Sequence, residues 1–466
     1  MEYFKNRWEE EGGYKEFLVI AVPLILSTGA WSIQHFVDRM FLSWYSPDTT
    51  AAAMPAGILN FAVMSIFIGT AAYTSTFVAQ YYGAGRYHRI GPALWQGIYV
   101  SVLGGLVLVC LIPFARPIFS LVGHEPVVQA HEVDYFQILC LGGAPVIAAS
   151  AMAGFFSGRG KTWPVMWVSM SSTALNLVMD YALIFGNWGF PEMGIKGAGI
   201  ATVLSGLFSF LMYMALISAR AHNKTYRTLS GWRLGKGLFF RLVRFGFPVG
   251  VQFFLDMAGF TIFILLVGRL GTTSLAATNI AFSISTLVFM PMIGSGIAVS
   301  VLVGQYLGKD RPVVAQRSVY SAFHLTFVYM AGIAIAYVSV PDIFVAPFAA
   351  QADPARFAEI YRLTVILLRF VAVYSVFDTM NMVFAAAVKG AGDTRYVMVV
   401  VAIISLLVLI IPTYLTVIIL DWGLMLAWVI ASAYVIILGF VFYFRFLGGK
   451  WKEMRVIEQP GTTLAS

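Results

Sequence analysis

The sequence predicts an all-α membrane protein: twelve transmembrane helices in two six-helix lobes, related by a pseudo-two-fold axis along the membrane normal. Three observations predict it. The composition is too apolar for a soluble domain, twelve apolar runs are each long enough to cross a bilayer, and an internal repeat divides those runs six and six. Of 466 residues, 59% are hydrophobic and only 11% charged, and the mean hydropathy is +0.82. That is the composition of a polytopic helical membrane protein. The net charge of +8 resides in short breaks between apolar runs, where basic residues set topology, so nucleic acid is not implied as a partner.

The first run, Phe17–Trp44, has 28 residues, against about 20 needed to cross the hydrocarbon. Its Pro23 removes a backbone hydrogen bond and predicts a hinge. Its Asp38 is an ionisable group inside a span, which costs on the order of 3 kcal/mol and points to function. The other runs fall at 51–82, 91–113, 127–153, 163–186, 194–219, 239–269, 275–307, 316–340, 359–388, 396–420 and 423–447. Several exceed the minimum length, which predicts tilt or bending.

Basic residues concentrate in the breaks after the even-numbered runs, most densely at Arg220, Lys224, Arg227, Arg233, Lys236, Arg241 and Arg244, and near both ends of the chain. The positive-inside rule then predicts a multi-pass protein of the cytoplasmic membrane with both termini cytoplasmic. Cys110 and Cys140 lie in apolar runs without a metal-site or CxxC spacing. They are expected to be small buried hydrophobes.

The basic break at 220–244 separates two halves, residues 1–222 and 223–466. Residues 68–86, IGTAAYTSTFVAQYYGAGR, align without a gap on 293–311, IGSGIAVSVLVGQYLGKDR, at an offset of 225 that also pairs Pro23 with Pro248. GRGKT at 158–162 is matched by GAGDT at 390–394 at a slightly drifted offset. Each half holds an even number of spans, so the halves point the same way and form a parallel repeat, with substrate and ion sites expected near the midplane.

Four acids lie well inside spans: Asp38, Asp180, Asp256 and Asp378. Each has an amide or phenol three or four residues away on the same helix face: Gln34, Asn176, Gln252, and the pair Tyr374 and Asn381. Taken singly, any one acid is explained as a satisfied contact between helices. Four together suit a transporter that trades a proton or a cation. Arg39, next to Asp38, falls on a different face and is expected to snorkel or pair elsewhere. Arg369 is the other base inside a span.

The fifth run, NLVMDYALIFG at 176–186, is followed by MGIKGAGIATVLSG at 193–206, whose small residues allow close helix approach. Close packing of the first, fifth and sixth spans would gather Asp38, Asn176, Asp180 and Thr202 with a freed backbone carbonyl, an oxygen shell suited to a hard monovalent cation. The same small residues are equally explained as a packing face.

These features resemble the multidrug and toxic compound extrusion (MATE) transporters, over nearly the whole chain. The resemblance rests on the 6+6 repeat, on P-x14-VD at Pro23, Val37 and Asp38, on GQYLG at 304–308 with AQYYG at 79–83, on NLVMD-x5-G at 176–186, and on GAGDT at 390–394. It implies a secondary active antiporter that exports organic cations or amphiphilic drugs in exchange for Na+ or H+. It further implies a cation site at Asp38, Asn176, Asp180, the Ala198 backbone and Thr202, with Na+ at the side chains of Asp38, Asn176, Asp180 and Thr202 if sodium is the coupling ion. Asp256 and Asp378, with Gln34, Gln252, Tyr374 and Asn381 beside the acids, are expected to attract substrate or relay protons. Asp256 stands where Glu is expected, and Arg39 where Thr is expected.

No Walker loop, nucleophile elbow or metal motif is present in the sequence, so an enzyme is not expected, and neither is any cofactor beyond the coupling ion. The partners expected are small organic cations and membrane lipids, with the chain a monomer. A flippase for lipid-linked precursors is the alternative from the same superfamily. Its cavity would need arginines for phosphate, and few bases lie inside spans here.

Overall fold

A computed structural model describes residues 7–349 and 354–458. In lipid, each apolar segment must satisfy its own backbone, which only a helix can do alone. Twelve long spans result: Tyr14–Tyr45 (α1), Pro47–Gly83 (α2), Tyr87–Leu121 (α3), the bent pair Pro126–Leu141 and Gly143–Gly158 (α4), Trp163–Phe185 (α5), Ile195–Ile217 (α6), Lys236–Gly268 (α7), Thr272–Gly308 (α8), Pro312–Ser339 (α9), Phe357–Ala391 (α10), Thr394–Ile419 (α11) and Gly423–Leu447 (α12). The twelve expected spans are all present, and no strand occurs among the described residues.

Local chemistry sets the interruptions. Ser46 caps α2 by accepting from the Asp48 N–H at 3.2 Å, with Pro47 at the first helical position. The bend of 46° in α4 falls at Gly142 and Gly143. A Cβ at Gly142 would lie 2.5 Å from Val203 of α6, and one at Gly143 2.2 Å from Leu108 of α3, so the glycine pair both kinks the helix and admits its neighbours. Around Pro412, α11 widens into π turns at Ser405–Ile410 and Leu415–Ile419. Cys140 is buried as expected, but Cys110 is exposed, because the side of α3 that carries it also exposes Val102, Leu106 and Val109.

The residues pack as two compact units. One comprises Met1–Ile25, Leu255–Val303 and Arg311–Met454; the other comprises Leu26–Phe254, Gly304–Asp310 and Arg455–Ser466. The break between residues 222 and 223 is therefore a division of the sequence, and packing divides the chain elsewhere, inside α1 two residues past Pro23 and inside α7.

Glycines show how each unit is closed. In the second, the start of α7 lies on α2: a Cβ at Gly69 would meet Gly250 Cα at 2.6 Å, and one at Gly250 would meet the Ile66 carbonyl at 2.0 Å. In the first, Gly294 of α8 faces the Ile25 nitrogen at 2.7 Å. Gly294 and Ile25 are the mates of Gly69 and Gly250 at the offset of 225. A second reciprocal contact joins the repeated motifs: a Cβ at Gly83 would lie 2.0 Å from the Gln305 carbonyl, and one at Gly308 2.3 Å from the Gln80 carbonyl. The sequence repeat is thus a repeat of contacts.

Candidate functional site

On α1, residues Ala30, Gln34, Asp38 and Leu42 recur every fourth position and are all buried, forming one stripe along the helix. On α5, Thr173, Asn176 and Asp180 form the facing buried stripe. Rungs join them: Ser27 and Ser169 share a hydroxyl hydrogen bond of 2.5 Å, and the Thr173 hydroxyl donates to the Ala30 carbonyl at 3.3 Å and to Gln34 Oε1 at 3.5 Å. One rung further, the Asp38 and Asp180 carboxyls face one another.

The third wall is α6, brought close by its small residues. A Cβ at Gly197 would lie 2.6 Å from the Leu183 backbone of α5, and one at Gly199 3.0 Å from Ile138 of α4. The small-residue segment is therefore a packing face, and that packing delivers Thr202 to the acids' surroundings. Ala198's carbonyl is not free. It lies in the first turn of α6, which starts at Ile195 and continues unbroken, and it accepts the Thr202 hydroxyl at 3.0 Å.

Buried polar groups normally find partners. Here Asp38 Oδ1, both Asp180 oxygens and both side-chain amide atoms of Asn176 have no hydrogen-bond partner of normal geometry. Elsewhere among the described residues such atoms occur singly. Two adjacent buried carboxyls cannot both ionise without a large cost. Together with the Asn176 amide, they form an oxygen-rich buried cluster.

Sequence reasoning missed Tyr135 of α4. It is buried, and its ring edge lies beside Gly199. Its hydroxyl is placed within reach of Asp38, Asp180 and Thr202. Its one sequence signal is a phenol inside an apolar span. Arg39 is exposed, yet its charge acts on both Asp38 and Tyr135, so it flanks the site rather than lying remote from it.

In the other unit, Asp378 is buried and accepts from the Asn381 side-chain amide at 2.8 Å. Tyr374 bonds Ser285 of α8 at 3.4 Å, and Tyr434 of α12 lies near Asp256, Asp378 and Ser405. Lys389, in the last turn of α10, lies within electrostatic reach of Asp256. Helical spacing correctly paired Asn381 with Asp378. It did not foresee that Gln34 meets Thr173 and that Tyr374 meets Ser285. Gln252 and Asp256 lie on opposite sides of the division in α7.

A family model described as MatE matches residues 23–182 and 248–415, one copy in each half of the chain. The chain belongs to the MatE family. The resemblance read from the repeated motifs and the span-one acid is thereby borne out. The chain is 29% identical over 395 residues to a probable multidrug resistance protein NorM of Bradyrhizobium diazoefficiens, covering 84% of each. It is 29% identical over 392 residues to the multidrug resistance protein PmpM of Pseudomonas aeruginosa, covering 83% of this chain and 80% of that one. A MOP superfamily transporter from Pyrococcus furiosus shares the fold at 18% identity, with a TM-score of 0.86 over 96% of this chain and 98% of that one.

Proposed function

We propose that this MatE protein is a secondary active antiporter of the cytoplasmic membrane, exporting organic cations or amphiphilic drugs in exchange for Na+ or H+, as a monomer with both termini cytoplasmic. The observation that carries the reading is the buried, unpartnered group of Asp38, Asn176 and Asp180. Its donors are carboxylate, amide and hydroxyl oxygens, which suit a hard monovalent cation or a proton. The names of the NorM and PmpM relatives support drugs as cargo. The test is efflux of a fluorescent organic cation from vesicles with sodium and pH gradients imposed separately. Efflux driven by neither gradient would remove the antiport reading.

The two polar clusters have different assignments. The group around Asp38 and Asp180 leaves buried oxygens without hydrogen-bond partners and holds the coupling ion; in the group around Asp378 and Asp256, Asp378 accepts from Asn381 and Asp256 neighbours Lys389, and this group meets substrate or relays protons with Tyr374 and Gln252. Asp378→Asn should therefore change substrate range or apparent affinity by roughly tenfold, the scale of one lost charged contact, while ion binding without drug persists. Ion binding that vanishes in Asp378→Asn but survives in Asp180→Asn would reverse the assignment.

Pro23 is assigned as a hinge. It lies inside an unbroken α1, two residues before the point where that helix passes from one compact unit to the other. Pro23→Ala restores a backbone donor and stiffens this point, so turnover should fall severalfold with substrate affinity unchanged. Normal turnover in the variant would leave Pro23 a packing residue only.

A further inference from the structure

The chain does not end its packing with α12. Trp451 is buried and stacks on Phe446 with ring centroids 5.0 Å apart, its indole N–H donating to the Phe446 carbonyl at 2.9 Å. Arg455–Glu458 packs with the unit that contains α2 and the start of α7. There the Val456 N–H donates to Gln80 Oε1 at 2.8 Å, and Val456 is 1% exposed. The Glu458 carboxylate accepts from the Tyr81 hydroxyl at 2.7 Å and lies 2.7 Å from an Arg241 guanidinium nitrogen, an ion pair not aligned as a hydrogen bond. Arg86 donates to the Glu458 carbonyl at 2.8 Å, and Arg455 pairs with Asp310 at 3.1 Å.

This is a built receptor rather than a chance contact. Gln80 and Tyr81 are fully buried, so their polar atoms need partners, and the segment supplies one to each. Burial alone would raise the Glu458 carboxyl. The Tyr81 hydroxyl and the Arg241 and Arg89 charges outweigh burial and hold it below its ordinary value, so it docks as an anion. The receptor uses only one copy of the repeat. In the other copy, Gln305 donates instead to the Gly158 carbonyl at 2.8 Å, and Arg311, the mate of Arg86, holds Glu11 at 2.5 Å.

We propose that Arg455–Glu458 is a strap, an intramolecular ligand of the anion pocket formed by Gln80, Tyr81, Arg86 and Arg241, which is docked at rest and leaves that pocket during transport. The motif it occupies lies at the Gly83–Gln305 and Gly308–Gln80 backbone contacts, so docking and undocking act where the two repeat copies touch. The proposal rests on the transport reading for its release step, while docking stands independently.

The test is the reactivity of Val456→Cys with a membrane-impermeant maleimide, in a Cys110→Ser background because Cys110 is exposed and Cys140 is buried. At rest in detergent, labelling should be slow. Adding Glu458→Gln or Arg241→Gln should speed it by about tenfold or more, the factor that accompanies loss of a charge-assisted hydrogen bond or ion pair. In inside-out vesicles where wild-type efflux of a fluorescent cation is established, labelling should accelerate during efflux. Resting labelling as fast as that of a freely exposed cysteine overturns docking. Protection that persists unchanged through active efflux overturns release. Absence of wild-type efflux defeats the transport reading separately, and resting labelling then still decides whether the strap docks.

Discussion

Asp38→Asn is expected to reduce ion-coupled efflux to the background of cells lacking the protein, with the protein still folded and inserted. The substitution keeps the side chain's shape in a buried stripe whose neighbours, Ala30, Gln34 and Leu42, are all packed. It removes the charge that, with Asp180, calls for a compensating cation or proton. An unpaired buried ionised group costs the fold several kcal/mol, so the neutral amide should leave the melting temperature unchanged or raised. Asp180→Asn should behave alike, because each carboxyl acts on the other. The readouts are efflux and thermal stability in parallel. Wild-type efflux from well-expressed Asp38→Asn protein would sink the ion-site assignment, and loss of both efflux and stability would mean that Asp38 is chiefly structural.

Gly83→Ala should produce a large loss of stability. Its added methyl would lie 2.0 Å from the Gln305 carbonyl oxygen and 2.9 Å from the Gln305 carbonyl carbon. Both are backbone atoms of a helix and neither can swing aside. Overpacking a well-filled site typically costs about 1–3 kcal/mol and sometimes more. Backbone against backbone belongs at the upper end. Gly308→Ala meets the reciprocal obstacle at Gln80 and should match it. Gly29→Ala in α1 is the control, since nothing lies within 4 Å of its Cβ position and alanine favours the helix by about 1 kcal/mol. Membrane yield and detergent melting temperature should fall for Gly83→Ala and hold for Gly29→Ala. Equal behaviour of the two would mean the crossing can open without cost.

The spans were legible because lipid leaves the backbone one local solution, so apolar length and charged breaks suffice to place Thr272–Gly308 or Gly423–Leu447 within a few residues. The acids were legible because an ionisable group in lipid is costly wherever it sits. Side-chain partners were not. Spacing of three or four residues puts Gln34 and Asp38 on one face, but whether they bond depends on what the neighbouring helix offers, and α5 offers Thr173 to Gln34. Tyr135 escaped for the same reason: its role arises from α4 lying against Gly199. The division of α1 and α7 between units is set by distant crossings such as Gly69 with Gly250, which no local pattern announces.

Those crossings bear on how the protein is made. The residues that cover Gly69 arrive with Gly250, 181 positions later (250 − 69), after all of α3 to α6 has left the ribosome. The close partner of α2 at Gly69 is therefore supplied only once the first half of the chain has been made. The segment containing Ile25, the reciprocal wedge, has by that time already been made and awaits Gly294. Each repeat's second helix thus takes its close partner from the first helix of the other repeat: α7 lies on α2, and α1 lies on α8.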